Sequence, residues 1–219
     1  MGVLLMLMTI GGLVVAGVLL VIAFITGKGW LRNFVLGGVA VWFVFYAVLL
    51  IGASVFSTEK TLAFDEPKAF CGFYFDCHLH TAVKDVRTTK TLGDRTAKGM
   101  FQIVKVEVSS DAVQAKLGLT TLGANVVDSG DEHYHRDWEA EALLPSQPDF
   151  EKLIGPEEHF VKEIVFDLPA DVKNPRLDLR EGFAIDHVIE TVLVGDEDSI
   201  WHKRNYFKLT EQNLASGVK

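Results

Sequence analysis

The sequence predicts a membrane-anchored all-β protein, with an N-terminal two-helix transmembrane hairpin followed by an antiparallel β-sandwich. Three observations support this fold class. The chain has 219 residues, and its first 58 residues contain two long uncharged runs. All 29 acidic residues of the chain come after those runs. From there on, apolar and polar residues alternate over short stretches, which is the pattern of half-buried strands.

The hairpin is predicted over residues 1–58, with spans near 3–26 and 34–56. The only charges in this region are Lys28 and Arg32, in the connecting turn. Each run exceeds the ~20 residues that a helix needs to cross a bilayer, and lipid offers the backbone no hydrogen-bond partners, so both must be helical. A cleaved signal peptide is the alternative for the first run. We disfavour it because no basic residue precedes the run, which is also longer than the apolar region of such peptides.

The turn also predicts the orientation of the chain. Basic residues favour the cytoplasmic side, which places the turn inside and residues 59–219 outside the cytoplasm, in the periplasm or the extracellular space. Those residues include 19 basic and 29 acidic side chains, a net charge of −10. Such a charge argues against a nucleic-acid surface and against electrostatic binding to anionic lipid. The expected partners are the lipid bilayer and another membrane or envelope protein, and no cofactor is predicted.

Small residues recur in both spans, notably Gly12, Ala16, Gly37 and Gly38. Such residues let two helices approach closely. They would either pack the hairpin against itself, which we favour, or form a face that binds the helix of a partner. Because no ionisable residue lies inside a span, we expect an anchor and not a channel or transporter.

A β-sandwich domain is predicted over 59–209, with a flexible tail at 210–219. About seven strands in a region of this length are typical of a sandwich. The single helical candidate is DWEAEALL at 137–144, which Pro145 ends. The predicted strands are 78–89, 99–110, 117–128, 159–169, 176–183, 190–195 and 201–209.

Two stretches of this domain resemble a known group of proteins. GPEEHFVKEIVFDLPADV at 155–172 is similar to the penultimate-strand region of uncharacterised immunoglobulin-like domains of bacterial exported proteins. ANVVDSGDEHY at 124–134 resembles their central hairpin. The resemblance implies an immunoglobulin-like sandwich tethered to the cell envelope, and it implies no particular role.

The order of the segments also resembles subunit II of haem-copper oxidases, in which two N-terminal spans precede an exported β-domain. The dinuclear copper site of that family needs two cysteines late in the domain, followed by His and Met. Here Cys71 and Cys77 precede most of the strands, and no methionine follows Met100. The copper ligands therefore cannot be carried over, which argues against electron transfer.

Cys71 and Cys77 are the only cysteines of the chain. In an oxidising compartment they are expected to form a structural disulfide. A metal or redox site is the alternative, although the spacing is not the C-x-x-C of thioredoxin-like motifs.

Two pairs of histidines provide the candidate metal ligands. His78 and His80 alternate along one predicted strand, as His133 and His135 do along another, so each pair would share a face of its strand. If the two strands were neighbours, four imidazoles could bind zinc or copper. The simpler interpretation is that these histidines are solvated.

Four aromatic residues follow the membrane hairpin closely: Phe70, Phe73, Tyr74 and Phe75. They are expected either to pack in the core against the disulfide or to contact a partner near the membrane. We leave both interpretations open.

No sequence motif of an enzyme was found. G-x-S-x-G and H-E-x-x-H are absent, and the glycines form no phosphate-binding loop. We therefore expect a non-enzymatic binding or structural module at the membrane surface, such as an accessory subunit of an envelope or membrane protein complex. The alternative is a metal-handling or redox protein that uses the His and Cys residues.

Overall fold

A computed structural model of the chain describes residues 2–72 and 76–210. The predictions made for residues 73–75 and for the tail beyond residue 210 lie outside these ranges. The helices are α1 (Gly2–Ile25), α2 (Gly29–Val55), α3 (Trp138–Glu141) and α4 (Ala184–Glu190). The strands are β1 (Lys60–Leu62), β2 (Lys68–Gly72), β3 (Asp76–Leu92), β4 (Arg95–Ser110), β5 (Leu122–Val127), β6 (His133–His135), β7 (His159–Leu168), β8 (Arg176–Glu181) and β9 (Asn205–Lys208).

The described residues form two compact units. We call the first the anchor unit, which contains residues 2–59 and 184–204. The second, the β-domain, contains residues 60–183 and 205–210. The predicted division placed the whole of 59–209 in one domain, whereas the structure groups 184–204 with the two N-terminal helices.

In the anchor unit, α1 and α2 are both long and apolar enough to cross a membrane. Their 24 and 27 residues correspond to roughly 36 and 40 Å. Gly27, at a φ of +64°, ends α1, because the amides of Gly27 and Lys28 bond back to the carbonyls of Phe24 and Ala23. This tight turn reverses the chain, and the predicted pair of apolar helices is confirmed.

The β-domain contains two sheets. One has the strand order β1-β9-β8-β5-β6 and the other β2-β3-β4-β7. All neighbouring strands are antiparallel except β1 and β9, which are parallel, unlike in the predicted all-antiparallel sandwich. Both of these strands begin where the chain leaves the anchor unit.

Buried apolar side chains from both sheets form one core. Because alternate residues of a strand share a face, the longer strands place rows of apolar residues inward, whereas β1, β2 and β9 contribute one buried residue each. The predicted β-sandwich is therefore confirmed. The core includes Val83, Val86, Val104, Val106, Ile164 and Phe166 from one sheet, and Leu122, Val126, Leu177, Leu179 and Phe207 from the other.

The prediction was wrong for residues 190–195, where α4 ends and turns follow. The periodicity of so short an apolar run cannot distinguish a strand from a buried segment of another structure. The strand predicted over 201–209 is shorter, covering Asn205–Lys208, and that over 117–128 covers Leu122–Val127.

Candidate functional site

A cleft of about 460 Å³ opens on the surface of the β-domain. The residues that line it come from the start of β5, the end of β8, the region of α3, the loop before β7, and β7 itself. They are Thr121, Leu122, Gly123, Arg136, Trp138, Asp149, Phe150, Glu151, Lys162 and Gly182.

Asp137 fixes the position of α3 at the edge of this cleft. Its carboxylate accepts a hydrogen bond from the amide of Ala140 at 2.9 Å, which caps the helix N-terminus. Arg95 donates a second hydrogen bond to it at 2.6 Å. Burial, the largest single effect, favours the neutral acid. Together the hydrogen bonds from Arg95 and Ala140 outweigh it and hold the pKa of Asp137 below its ordinary value.

Under the cleft lies a network of buried charges. Arg136 donates two hydrogen bonds to Glu141, of which the one from Nε measures 3.1 Å. The Nζ atom of Lys162 lies 3.1 Å from Asp149 and 3.8 Å from Glu141. The side chains of Arg136, Glu141 and Lys162 are each less than a tenth exposed. Buried charges need this mutual compensation, because an ion that loses its partner is strongly destabilising.

Trp138 stacks on the outer side of this network. The guanidinium carbon of Arg136 lies 3.7 Å from the centroid of the Trp138 ring and 5.6 Å from that of Phe150. Phe150 is buried, whereas Trp138 remains 65% exposed. The indole is therefore held on an immobilised cation while most of its surface faces solvent.

An arrangement of this kind is suited to recognition. Trp and Arg are over-represented among the residues that dominate binding energies, and they act best when their geometry is fixed before binding. This site was not predicted from the sequence, which indicated only a short helix at 137–144. The available signal was the run Arg136-Asp137-Trp138, in which a helix-capping Asp separates a cation from an aromatic residue.

The structure brings His78 and His80 together around a carboxylate. His78 Nδ1 lies 2.7 Å from Oδ1 of Asp111, and His80 Nε2 lies 3.1 Å from its Oδ2. Hydrogen bonding to His78 and then His80 lowers the pKa of Asp111. These two histidines therefore share Asp111 as a hydrogen-bond partner.

His133 and His135 lie elsewhere. They belong to β6, at the edge of the five-stranded sheet, whereas the other pair lies on β3 of the four-stranded sheet. His135 Nδ1 is 2.7 Å from the side-chain oxygen of Asn125. Among the residues that the structure describes, the four imidazoles form no common metal-ligating group. The alternative in which the two pairs converge on one metal ion is therefore not favoured, because β3 and β6 belong to different sheets.

Cys71 and Cys77 form a disulfide between the adjacent strands β2 and β3, as predicted. Phe70, beside it in sequence, is 6% exposed and belongs to the sandwich core, so it is not available to a partner. The rest of the aromatic group, Phe73, Tyr74 and Phe75, lies outside the described residues.

The glycines of each span do not lie close to the other helix of the hairpin. A Cβ atom placed on Gly12, Gly37 or Gly38 would have no atom within 4 Å, and Ala16 is only half-buried. The preferred interpretation, in which these glycines pack the hairpin against itself, was therefore wrong. The helices are instead joined by a hydrogen bond of 3.0 Å from the indole nitrogen of Trp42 to the Thr9 hydroxyl.

One further cluster lies in the anchor unit. Ligating atoms of His187, Glu190 and Asp198 lie within 4.8 Å of one another, a spacing that could hold a metal ion. Burial, followed by the charges of nearby carboxylates, raises the pKa of Glu190. However, the imidazole of His187 lies 2.9 Å from Glu190, and the guanidinium of Arg204 lies 2.9 Å from Asp198. Each carboxylate thus already has a partner within the protein, and the cluster ties residues 184–204 into one folded segment.

No protein-family model matches the chain, and no curated protein matches its sequence. Four solved structures are similar to it, among them the following three. The YjhA protein of Bacillus subtilis is 15% identical, with a TM-score of 0.43 over 68% of this chain and 100% of that one. The secreted protein MPT63 of Mycobacterium tuberculosis is 13% identical, with a TM-score of 0.41 over 58% and 92%. An uncharacterised β-sandwich protein of Clostridium difficile is 11% identical, with a TM-score of 0.39 over 70% and 96%.

Proposed function

We propose that this protein is a membrane-anchored binding module whose β-domain, an immunoglobulin-like sandwich, recognises another membrane or envelope protein outside the cytoplasm. The observation that carries the proposal is Trp138, an exposed indole held on the buried Arg136. An aromatic side chain presented in a fixed orientation loses little conformational entropy on binding, which makes it an efficient anchor for a partner.

The anchor is supported by the surface of α1 and α2. The apolar side chains of both helices are largely exposed, unlike those of the core helices of soluble proteins. So much contiguous apolar surface is rare on proteins that live in water alone. Lys28 before α2 and Arg32 in its first turn favour an orientation with this end of the hairpin in the cytoplasm and the β-domain outside it. The disulfide between Cys71 and Cys77 is the kind of bond that persists in such an oxidising compartment.

Binding is favoured over catalysis by the state of the charged groups in the cleft. Arg136 is paired with Glu141, and Lys162 with Asp149, so both cations already have partners. Catalytic acids and bases converge on a reacting atom. The paired charges of this cleft instead support its shape and hold Trp138 in place.

The partner is expected to present an apolar pocket for the indole, surrounded by basic groups. Residues 59–219 carry a net charge of −10, which would attract a basic surface and orient it during encounter. The charge would therefore govern the association rate, and Trp138 most of the affinity.

Site-specific cross-linking of the full-length chain in its native membrane would test the proposed interface. A photoreactive amino acid replaces Glu139, whose side chain is 85% exposed beside Trp138. We expect one cross-linked partner, and the same protein should co-purify stoichiometrically in mild detergent. Trp138→Ala should abolish both results. The matched control is Val113→Ala, which shortens an apolar side chain that is 82% exposed in the same domain and should change neither.

Two outcomes would overturn the proposed interface. One is a chain that purifies as a monomer without any cross-link. The other is a cross-link that persists unchanged in Trp138→Ala.

The proposed topology has a separate test. Intact cells are treated with a membrane-impermeant reductant and then with an impermeant maleimide. If the β-domain lies outside the cytoplasm, Cys71 and Cys77 should be labelled, and only after reduction. Labelling that requires prior permeabilisation of the membrane would place the domain in the cytoplasm.

A further inference from the structure

Residues 184–204 pack along the end of the hairpin that lies opposite its turn. The Tyr46 hydroxyl donates a hydrogen bond of 2.7 Å to the carbonyl of Val192. Ser54 and Ser199 share a hydrogen bond of 3.4 Å between their hydroxyls. The amide of Lys203 donates one of 2.8 Å to the hydroxyl of Ser57. The segment is thus attached to α2 at Tyr46 and Ser54, and to Ser57 just beyond the end of that helix.

It also approaches α1. A Cβ atom placed on Gly2 would lie only 2.5 Å from the carbonyl oxygen of Val194. The absence of a side chain at Gly2 therefore lets the segment pass close to the first turn of α1. Residues 184–204 therefore pack against both helices of the hairpin.

The position of Tyr46 along α2 indicates how deep in the bilayer this contact lies. Tyr46 precedes Val55, the last residue of α2, by nine residues, which is roughly 13 Å along a helix. α2 is roughly 40 Å long, about 10 Å more than the hydrocarbon thickness of a bilayer. Even if all of that excess lies at this end, Tyr46 lies inside the hydrocarbon region. The carbonyl that it binds, that of Val192, is then close to the hydrocarbon boundary and not in bulk water.

The segment presents apolar side chains outward. Ile185 and Val188 are three residues apart on α4 and share one face of it, and Val192, Ile200 and Trp201, in the turns that follow, add to the apolar surface. These five side chains are between 40% and 69% exposed. The polar side chains of His187, Glu190 and Asp198 instead lie close to one another, in the cluster described above.

We infer that residues 184–201 form a third membrane element, which lies in the outer interface of the bilayer beside the hairpin and inserts its apolar face among the lipid chains. This inference rests on the proposed membrane anchor. Interfacial elements of this kind bury an apolar face about 5–10 Å into the boundary between headgroups and acyl chains. Residues 184–204 contain five acidic and two basic side chains. The lipid partner is therefore zwitterionic, and apolar insertion, not charge, provides the binding.

Quenching of tryptophan fluorescence by phosphatidylcholine brominated on its acyl chains tests this inference. The full-length chain is reconstituted into such vesicles as three single-tryptophan proteins. Two of its four tryptophans, Trp42 in α2 and Trp138 in the β-domain, serve as references, and Trp201 is the reporter. The remaining tryptophans in each protein are replaced by phenylalanine.

We expect strong quenching of Trp42, about a twofold loss of Trp201 fluorescence, and little change for Trp138. Quenching of Trp42 without quenching of Trp201 would overturn the inference of an interfacial element and would leave the proposed membrane anchor standing. If Trp42 itself is not quenched, the hairpin is not in the bilayer, and the proposed anchor fails together with this inference.

A charge placed on the apolar face provides a second, independent test. Val188→Glu should remove most of the quenching of Trp201, because a carboxylate disfavours insertion among lipid chains. Val113→Glu places the same charge on an exposed valine of the β-domain and should leave the quenching unchanged. Equal quenching of Trp201 in both variants would contradict the inference.

Discussion

The guanidinium of Arg136 lies 3.7 Å from the centroid of the Trp138 ring, and the two residues are separated only by the helix-capping Asp137. Arg136 is buried and Trp138 is exposed, so the pair connects the charge network under the cleft with its outer surface. The orientation of the indole thus depends on the buried ion pair between Arg136 and Glu141.

Arg136→Met is expected to destabilise the β-domain by about 3–5 kcal/mol, because it leaves Glu141 buried with Lys162 as its nearest cation. The double variant Arg136→Met with Glu141→Leu should recover much of that loss, since it removes both charges. Urea unfolding of the full-length chain in detergent, followed by circular dichroism, measures these free energies.

The matched control for this cycle is Arg87→Met. It breaks an ion pair with Glu163 in which the arginine side chain is about half exposed, and it should cost less than about 1 kcal/mol. If Arg136→Met lowered the free energy of unfolding no more than this control does, the charge network would not be what holds Trp138 in place.

Asp137→Ala removes the cap of α3 and should cost about 1 kcal/mol at neutral pH. The pKa of Asp137 is lowered in the folded state, so its charge contributes fully above the ordinary value of 3.8. That contribution is lost as the pH falls through the lower folded-state pKa. Thermal unfolding of wild type and variant between neutral and strongly acidic pH should show their difference shrinking only at the acid end. A difference that grows on acidification would contradict the assignment.

Thr9→Val should weaken the hairpin by about 1 kcal/mol, because the indole N–H of Trp42 loses its partner on the other helix. Thr26→Val is the matched control, since the described hydrogen bond of that hydroxyl stays within its own helix, to Ile22. Unfolding of both variants in mixed micelles with a rising fraction of SDS compares them. Equal stability of the two variants would show that the bond between the helices contributes nothing measurable.

Replacement of Cys71 and Cys77 by serine should lower the free energy of unfolding by about 2 kcal/mol, as the loss of a short closed loop predicts. The wild-type chain treated with dithiothreitol is the control and should unfold at the same denaturant concentration as the double variant. An unchanged midpoint after reduction would show that the bond does not contribute to stability.

Much of the fold could be predicted because its signals are local. The two apolar runs became α1 and α2, with ends that differ from the predicted spans by a few residues. The alternation at 99–110 and 159–169 became β4 and β7, which pair with each other. The disulfide of Cys71 and Cys77 was the favoured prediction because they are the only two cysteines and an oxidising compartment was expected, and it is confirmed. In each case a short stretch carries its own evidence, because helix and strand periods are properties of consecutive residues.

The sequence by itself determined the apolar hairpin, the alternating strands and the excess of acidic residues after the hairpin. Only the tertiary structure decided that His78 and His80 meet Asp111 and not the histidines of β6. Only it placed Arg136 in contact with both Trp138 and Glu141, and residues 184–204 against α1 and α2. These contacts join residues far apart in the chain, and which of them form depends on how the sheets and helices pack. No local period encodes that packing, and therefore both the candidate site and the proposed third membrane element emerged only from the folded chain.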